Sequence, residues 1–151
     1  MKLLDILLVD DNRDDCGFFA VAVDKTGLNI FLQTVTDGAQ AIDYLEGRGV
    51  FANRLTHPMP DLVLLDLDPR QTGGLGLLDW RRASAFLSAL PVVLFSDFAY
   101  QTAIDRAMAM GATAFITKPV EFERWEEVVR RIWDLGMERS QAKKPALAVG
   151  G

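Results

Sequence analysis

The chain predicts an α/β fold built on an open parallel sheet, and three observations carry that prediction. Short apolar runs alternate with longer helix-like segments, the signature of parallel strands joined by crossover helices. Four of the runs end on polar residues: Asp10 and Asp11 after Leu7-Leu8-Val9, Asp66 after Leu62-Val63-Leu64-Leu65, Ser96 after Val92-Val93-Leu94-Phe95, and Lys118 after Phe115-Ile116-Thr117. Finally, 151 residues, 50% of them hydrophobic, suffice to bury the core of one domain and leave no room for a second.

Five strands are expected, near residues 5–9, 30–35, 62–66, 92–95 and 114–116. The first helix, 13–25, holds seven successive nonpolar residues from Gly17 to Val23, so its period alone does not separate it from a strand. Its place does, because a right-handed crossover must join the first two parallel strands. The second helix, 38–46, carries Ala41, Ile42 and Leu45 on one face and stops at Gly47 and Gly49. The connection from 47 to 60 is long, contains Pro58 and Pro60, and is expected to be an exposed loop. His57, the only histidine, lies in it, with a solvent or loop-packing role expected.

A third helix is expected over 75–83, followed by a loose segment ending at Pro91, and a fourth over 100–110, stopped by Gly111 in the left-handed conformation. In the fifth, 121–137, Phe122, Trp125, Val128, Val129, Ile132 and Trp133 fall three and four apart and form one apolar stripe, read as core. Beyond Arg139 the chain is polar, then small and glycine-terminated, with Pro145 inside it. Residues 1–139 are expected to fold and 140–151 to form a flexible tail, with no output domain after it.

The net charge of -5, with 21 acidic against 16 basic residues, argues against broad adhesion to nucleic acid or to an anionic membrane. The apolar start is too short for a signal peptide, and no segment approaches the ~20 apolar residues of a membrane span. A cytoplasmic protein is expected. A single cysteine, Cys16, excludes an internal disulfide and makes a zinc site implausible, so it is read as a small filler on a helix.

Ligand sites of open parallel sheets form at the carboxyl ends of the strands, so the four strand-end positions predict one composite site. Asp10, Asp11 and Asp66 brought together would repel by roughly 4 kcal/mol per close pair at an effective dielectric near 20, so the cluster calls for a cation. All-oxygen ligands suit magnesium, and a carboxylate can attack phosphorus to give an aspartyl-phosphate. Lys118 would then neutralise the charge spread over the transferring group, and Ser96 would donate to one of its oxygens. Taken singly, each position also reads as a helix cap or a surface charge.

The motifs LLVDDN, LVLLDLD, VVLFS and ITKP, in this order and spacing, resemble the response-regulator receiver family over about residues 1–139. The resemblance implies a three-layer, doubly wound, five-stranded parallel sheet in the order 2-1-3-4-5, the CheY-like variant of the flavodoxin-like fold. It implies Asp66 as phosphoacceptor, a histidine kinase as donor, and Mg2+ held by Asp11, Asp66 and the main-chain carbonyl of Asp68, with Asp10 acting through water. Lys118 would pair with the phosphoryl group, and the Lys118–Pro119 peptide would be cis. Ser96 and Phe115 match the family's switch pair, with Phe in place of Tyr removing a hydroxyl. Signalling would leave through the fourth helix, fifth strand and fifth helix to a downstream phosphotransfer or effector protein. The resemblance also implies no enzymatic activity beyond magnesium-dependent self-phosphotransfer and autodephosphorylation.

Departures from the family pattern concern rates. Arg70 stands where the family has proline, with Pro69 before it; Asp97 follows Ser96 where a small residue is usual; Asp68 adds an acid at a position that tunes dephosphorylation. The long second crossover and ITKPVEFERWEEVVRRI are similar to stand-alone receivers serving bacterial phytochrome-type kinases, relatives that often dimerise through the fourth-helix to fifth-helix face. Two rival readings stand beside this one. Asp97 and the displaced proline motivate a receiver-like docking module that works without phosphorylation. Asp66-Leu67-Asp68 resembles the nucleophile and acid pair of haloacid dehalogenase-type phosphohydrolases, although those place their metal-binding acids late in the chain. Dinucleotide binding is weaker, since Gly74-Leu75-Gly76 lacks the third glycine of the fingerprint and follows no first strand.

Overall fold

The computed structural model describes residues 2–67, 73–97 and 101–142. Five strands, β1 (Leu4–Val9), β2 (Ile30–Val35), β3 (Leu62–Leu65), β4 (Val92–Ser96) and β5 (Ala114–Thr117), form one sheet in the order β2-β1-β3-β4-β5, every pair parallel. Between and after them run α1 (Arg13–Thr26), α2 (Gly38–Glu46), α3 (Gly73–Arg82), α4 (Gln101–Ala109) and α5 (Trp125–Ala142). The expected class and strand order hold. Helix α5 starts after a 3-10 turn at Phe122–Arg124 and carries on to Ala142, so order reaches past Arg139; the rest of the expected tail lies outside the described residues.

Side chains alternate across each strand, and this alternation divides the core in two. Leu7, Val9, Val63, Leu65, Val92 and Leu94 point to one face, where Ala41, Tyr44 and Leu45 of α2, Leu77 and Leu78 of α3, and Ile104 and Ala107 of α4 cover them. Leu4, Ile6, Leu8, Leu62, Leu64, Val93 and Phe95 point to the other, against Phe19, Ala22 and Val23 of α1 and Trp125, Val129 and Ile132 of α5. Strands covered on both faces read as unbroken apolar runs, which is why β1, β3 and β4 are so plain in the sequence. The stripe on the fifth helix is core from Trp125 to Ile132, whereas Phe122 is 41% exposed and packs edge-on against Phe18 of α1.

Local chemistry fixes the helix ends. Asn12 caps α1 by accepting from the Asp15 N–H, and Asp37 caps α2 by accepting from the Gln40 N–H, while Gln40 Oε1 accepts from the Thr36 N–H in return. The starts of α2 and α3 approach so closely that a Cβ on Gly38 would run into the Gly73 carbonyl. Gly47 ends α2 at φ 69°, a conformation that costs other residues a steric penalty.

The connection after α2 is more ordered than the expected exposed loop, and Arg54 is the reason. Its guanidinium donates to the carbonyls of Tyr44 (2.7 Å), Leu45 (2.8 Å) and His57 (3.2 Å), so it satisfies the end of α2 and pins the loop to it. Tyr44 donates its hydroxyl to the Pro58 carbonyl, and His57 packs edge-on against Tyr44 and Phe51, the loop-packing role expected for it. Hydrogen bonds from charged donors contribute about 1.5–3 kcal/mol each before losses elsewhere. Arg54→Ala is therefore expected to lower the unfolding free energy by about 2–3 kcal/mol in a urea titration; a loss below about 0.5 kcal/mol would mean that the loop packs without it.

Candidate functional site

Sheet hydrogen bonds deliver the strand-end residues to one edge. The Asp66 N–H donates to the Val9 carbonyl at 3.0 Å, and the Lys118 N–H to the Ser96 carbonyl at 3.0 Å, each one residue past its own strand. The Asp10 N–H donates likewise to the Val35 carbonyl at 2.9 Å. Each backbone is therefore held as if still in the sheet, which sets its side chain at the carboxyl edge.

Around Lys118 these side chains converge. Its ammonium lies 2.8 Å from Asp10 Oδ2, 2.8 Å from Asp15 Oδ2 and 3.3 Å from Asp66 Oδ2. The Asp10 side chain has no exposed surface, the Lys118 side chain 5% and the Asp66 side chain 17%. Asp10 Oδ1 accepts from the Asn12 N–H at 2.9 Å, whereas Oδ2 is close enough to Lys118 for an ion pair but off the hydrogen-bond line. Ser96 is fully buried, and its Oγ accepts from the Leu67 N–H at 2.7 Å, which ties β4 to the loop carrying Asp66.

Burial is the leading influence on both charged partners. For Asp66 it pushes the carboxyl up to about 6, helped by Asp10, while Lys118 and the Ser96 hydroxyl hold it down. For Lys118 burial works against the charge, but contacts with Asp10 and Asp15 and the nearby charge of Asp66 outweigh it and leave the ammonium firmly protonated. Burial also raises the Cys16 thiol to about 11, so it stays protonated; it donates to the Asp10 carbonyl and packs against the α1 side of the core as the expected filler.

The donor set fits a hard divalent cation. Asp10, Asp11 and Asp66 each present a carboxylate oxygen, all within 4.8 Å of one another, beside a small pocket that Thr36, Gly38 and Gly74 help to line. Lys118 alone does not neutralise so many acids, and the ligand atoms are all oxygen, as magnesium prefers.

The remaining expected positions divide. Phe115 is half-buried and pairs with Leu94, while Ser96 pairs with Thr117; because Phe115 packs on the α4 side, it shares a face with Ser96 two positions away. Asp97 is exposed directly after Ser96. Asp68, Pro69 and Arg70 lie outside the described residues. The cis expectation is corrected: the Lys118–Pro119 peptide is trans, the isomer that X–Pro bonds favour by about 0.5–1 kcal/mol in the absence of an opposing constraint. Asp15 went unrecognised in the sequence as a site residue. Its contact with Lys118 joins residues 103 apart in the chain, and no local pattern signals it.

The family model of the response regulator receiver domain matches residues 6–130. The chain belongs to the response regulator receiver family. Among curated relatives, "Probable methanogenesis regulatory protein FilR2" of Methanothrix harundinacea is 31% identical over 141 residues, covering 89% of this chain and 86% of that protein. Among solved structures, the receiver is similar to a response regulator in red light signaling of R. palustris, with TM-score 0.79, 30% identity and coverage of 87% and 92%. It is also similar to the phosphorylated cyanobacterial phytochrome response regulator RcpA, with TM-score 0.78, 27% identity and coverage of 90% and 95%. The receiver is a module of two-component signalling, and receivers generally act as non-enzymatic signalling modules. No described helix is long and apolar enough to cross a membrane.

In metal-free receiver, Asp66 holds its proton more tightly when folded than its ordinary value of 3.8 allows. The native state thus carries the extra proton between about 4 and about 6, and stability falls as pH rises through that window and levels off above it. Urea unfolding in EDTA is expected to show the wild type losing on the order of 1–2 kcal/mol across it relative to Asp66→Asn, after screening at this partly exposed group. Parallel profiles would mean that Asp66 ionises at its ordinary pH.

Proposed function

We propose that this receiver accepts a phosphoryl group on Asp66 from a sensor histidine kinase and passes the signal through the face formed by α4, β5 and α5. The supporting observation is the convergence on Lys118 of Asp10 and Asp66, with the buried Ser96 hydroxyl beside Asp66. In the step, an Asp66 oxygen attacks phosphorus, the bond from phosphorus to the donor nitrogen breaks, and its electron pair stays on the donor imidazole. Lys118 donates to a phosphoryl oxygen as charge spreads onto it, and Ser96 turns its hydroxyl to another. Asp11 and Asp66, with the Asp68 carbonyl, would hold Mg2+ directly and Asp10 through water. That ion supplies charge neutralisation at the phosphoryl oxygens. Apart from this self-transfer and the hydrolysis of its own aspartyl-phosphate, we assign no turnover.

Phosphorylation adds about -1.5 to -2 of charge at Asp66, which draws Ser96 toward it and empties space that Phe115, on the same face, can enter. A coupling of about 1–3 kcal/mol is typical of such two-state shifts. Asp97 and Asp68 would tune how readily donor and water reach phosphorus. The likeness to regulators of red light and phytochrome signalling supports a phytochrome-type kinase as donor. A phosphotransfer or effector protein downstream and a homodimer through α4, β5 and α5 belong to the same proposal. We place the relay in the cytoplasm, with residues 1–139 as the receiver unit and α5 running on into the 140–151 segment. The second reading, docking without phosphorylation, draws on the exposed Asp97 carboxylate beside Ser96.

Acetyl phosphate or phosphoramidate with magnesium is expected to add one phosphoryl group to the wild type and none to Asp66→Asn, read by intact mass. A wild-type mass that stays unmodified under forcing conditions would favour the docking module.

A further inference from the structure

Asp15 contacts Lys118 without belonging to the acidic trio. Three carboxylates surround the ammonium: Asp10 and Asp15 at 2.8 Å and Asp66 at 3.3 Å. Asp10 and Asp66 are among the acids placed to share a divalent ion, and Asp15 is not in that group. Its side chain is 20% exposed, and its own N–H is bound to Asn12 Oδ1 at 3.1 Å, so the first turn of α1 holds the residue independently of its carboxylate.

An ammonium paired with three anions divides its attraction among them. With one anion gone, it settles harder on the other two, which here are the acids that cation and phosphorus require. We propose that Asp15 is a positioning residue for phosphoryl transfer: its carboxylate draws the Lys118 ammonium toward α1 and so keeps Asp66 loosely held, open to the cation and able to attack phosphorus. The longer Lys118–Asp66 distance is the geometric trace of that pull. This role rests on the reading of Asp66 as phosphoacceptor, and it acts through Lys118 rather than on the donor.

Titration of the full chain with Mg2+ alone tests the pull without any phosphoryl chemistry. Asp15→Asn is expected to weaken Mg2+ binding about five-fold, because Lys118 then competes harder for Asp66, and Asp15→Glu is expected to restore most of the affinity. In a Lys118→Met background the same Asp15→Asn change is expected to cost less than about two-fold. Heteronuclear NMR of the Lys118 ammonium supplies a readout that needs no second variant: its protons should exchange with water faster in Asp15→Asn than in the wild type. At saturating Mg2+, phosphoramidate should label Asp15→Asn more slowly than the wild type. Unchanged Mg2+ affinity and unchanged ammonium exchange would overturn the role of Asp15, as would a loss of the same size with Lys118→Met. A wild type that binds Mg2+ but accepts no phosphoryl group would overturn the phosphoacceptor reading instead.

Discussion

One buried ammonium stands among carboxylates contributed by two segments distant in sequence, and the carboxyl edge of this sheet is organised around it. Lys118 would pay a desolvation penalty of several kcal/mol if it stood alone, and Asp10, wholly buried, would do the same. Their pairing makes both burials tolerable, and Asp15 and Asp66 complete the shell. The balance is incomplete by design of the charges: one cation faces more acids than it can neutralise. That surplus is what suits the edge to a divalent ion.

The scaffold makes such a concentration of charge affordable by fixing its backbone before the side chains are considered. Asp66 and Lys118 each remain in a sheet hydrogen bond one residue beyond their strands, so the site inherits the rigidity of the β1–β3 and β4–β5 pairings. Helices cover both faces of the sheet, and the two cores it separates are built of apolar side chains, with the buried Arg81 of α3 satisfied by the Leu90 carbonyl. Where α2 and α3 begin, beside the acidic pocket, Gly38 and Gly73 let their backbones meet without a side chain between them.

Asp66 is where the opposing demands are most visible. Burial favours its neutral form, whereas nucleophilic attack and cation binding require the carboxylate; Lys118 and Ser96 lean toward the charged form without fully prevailing. A group held near this balance responds strongly to a new charge beside it, which is the property a relay needs. Ser96 ties the loop carrying Asp66 to the core, since its oxygen receives the Leu67 N–H and its face of the sheet is shared with Phe115.

Most of the architecture was legible in the chain because it follows from local rules. Unbroken apolar runs mark strands buried on both faces, and Gly47 and Gly111, both at positive φ, mark where the helices before them stop. The polar residue after each of those runs named Asp10, Asp11, Asp66, Ser96 and Lys118, since chain direction alone puts such positions at one edge of a parallel sheet. Distances and partnerships depend on contacts between residues from about ten to more than a hundred apart, and no local pattern encodes them. Thus the sequence could place Asp15 in an acidic run but not against Lys118, and could show Arg54 in a long connection but not at the end of α2. Residue type and spacing determine which elements form and which groups reach the edge; how the helices pack decides which of those groups share a proton, a charge or a carbonyl.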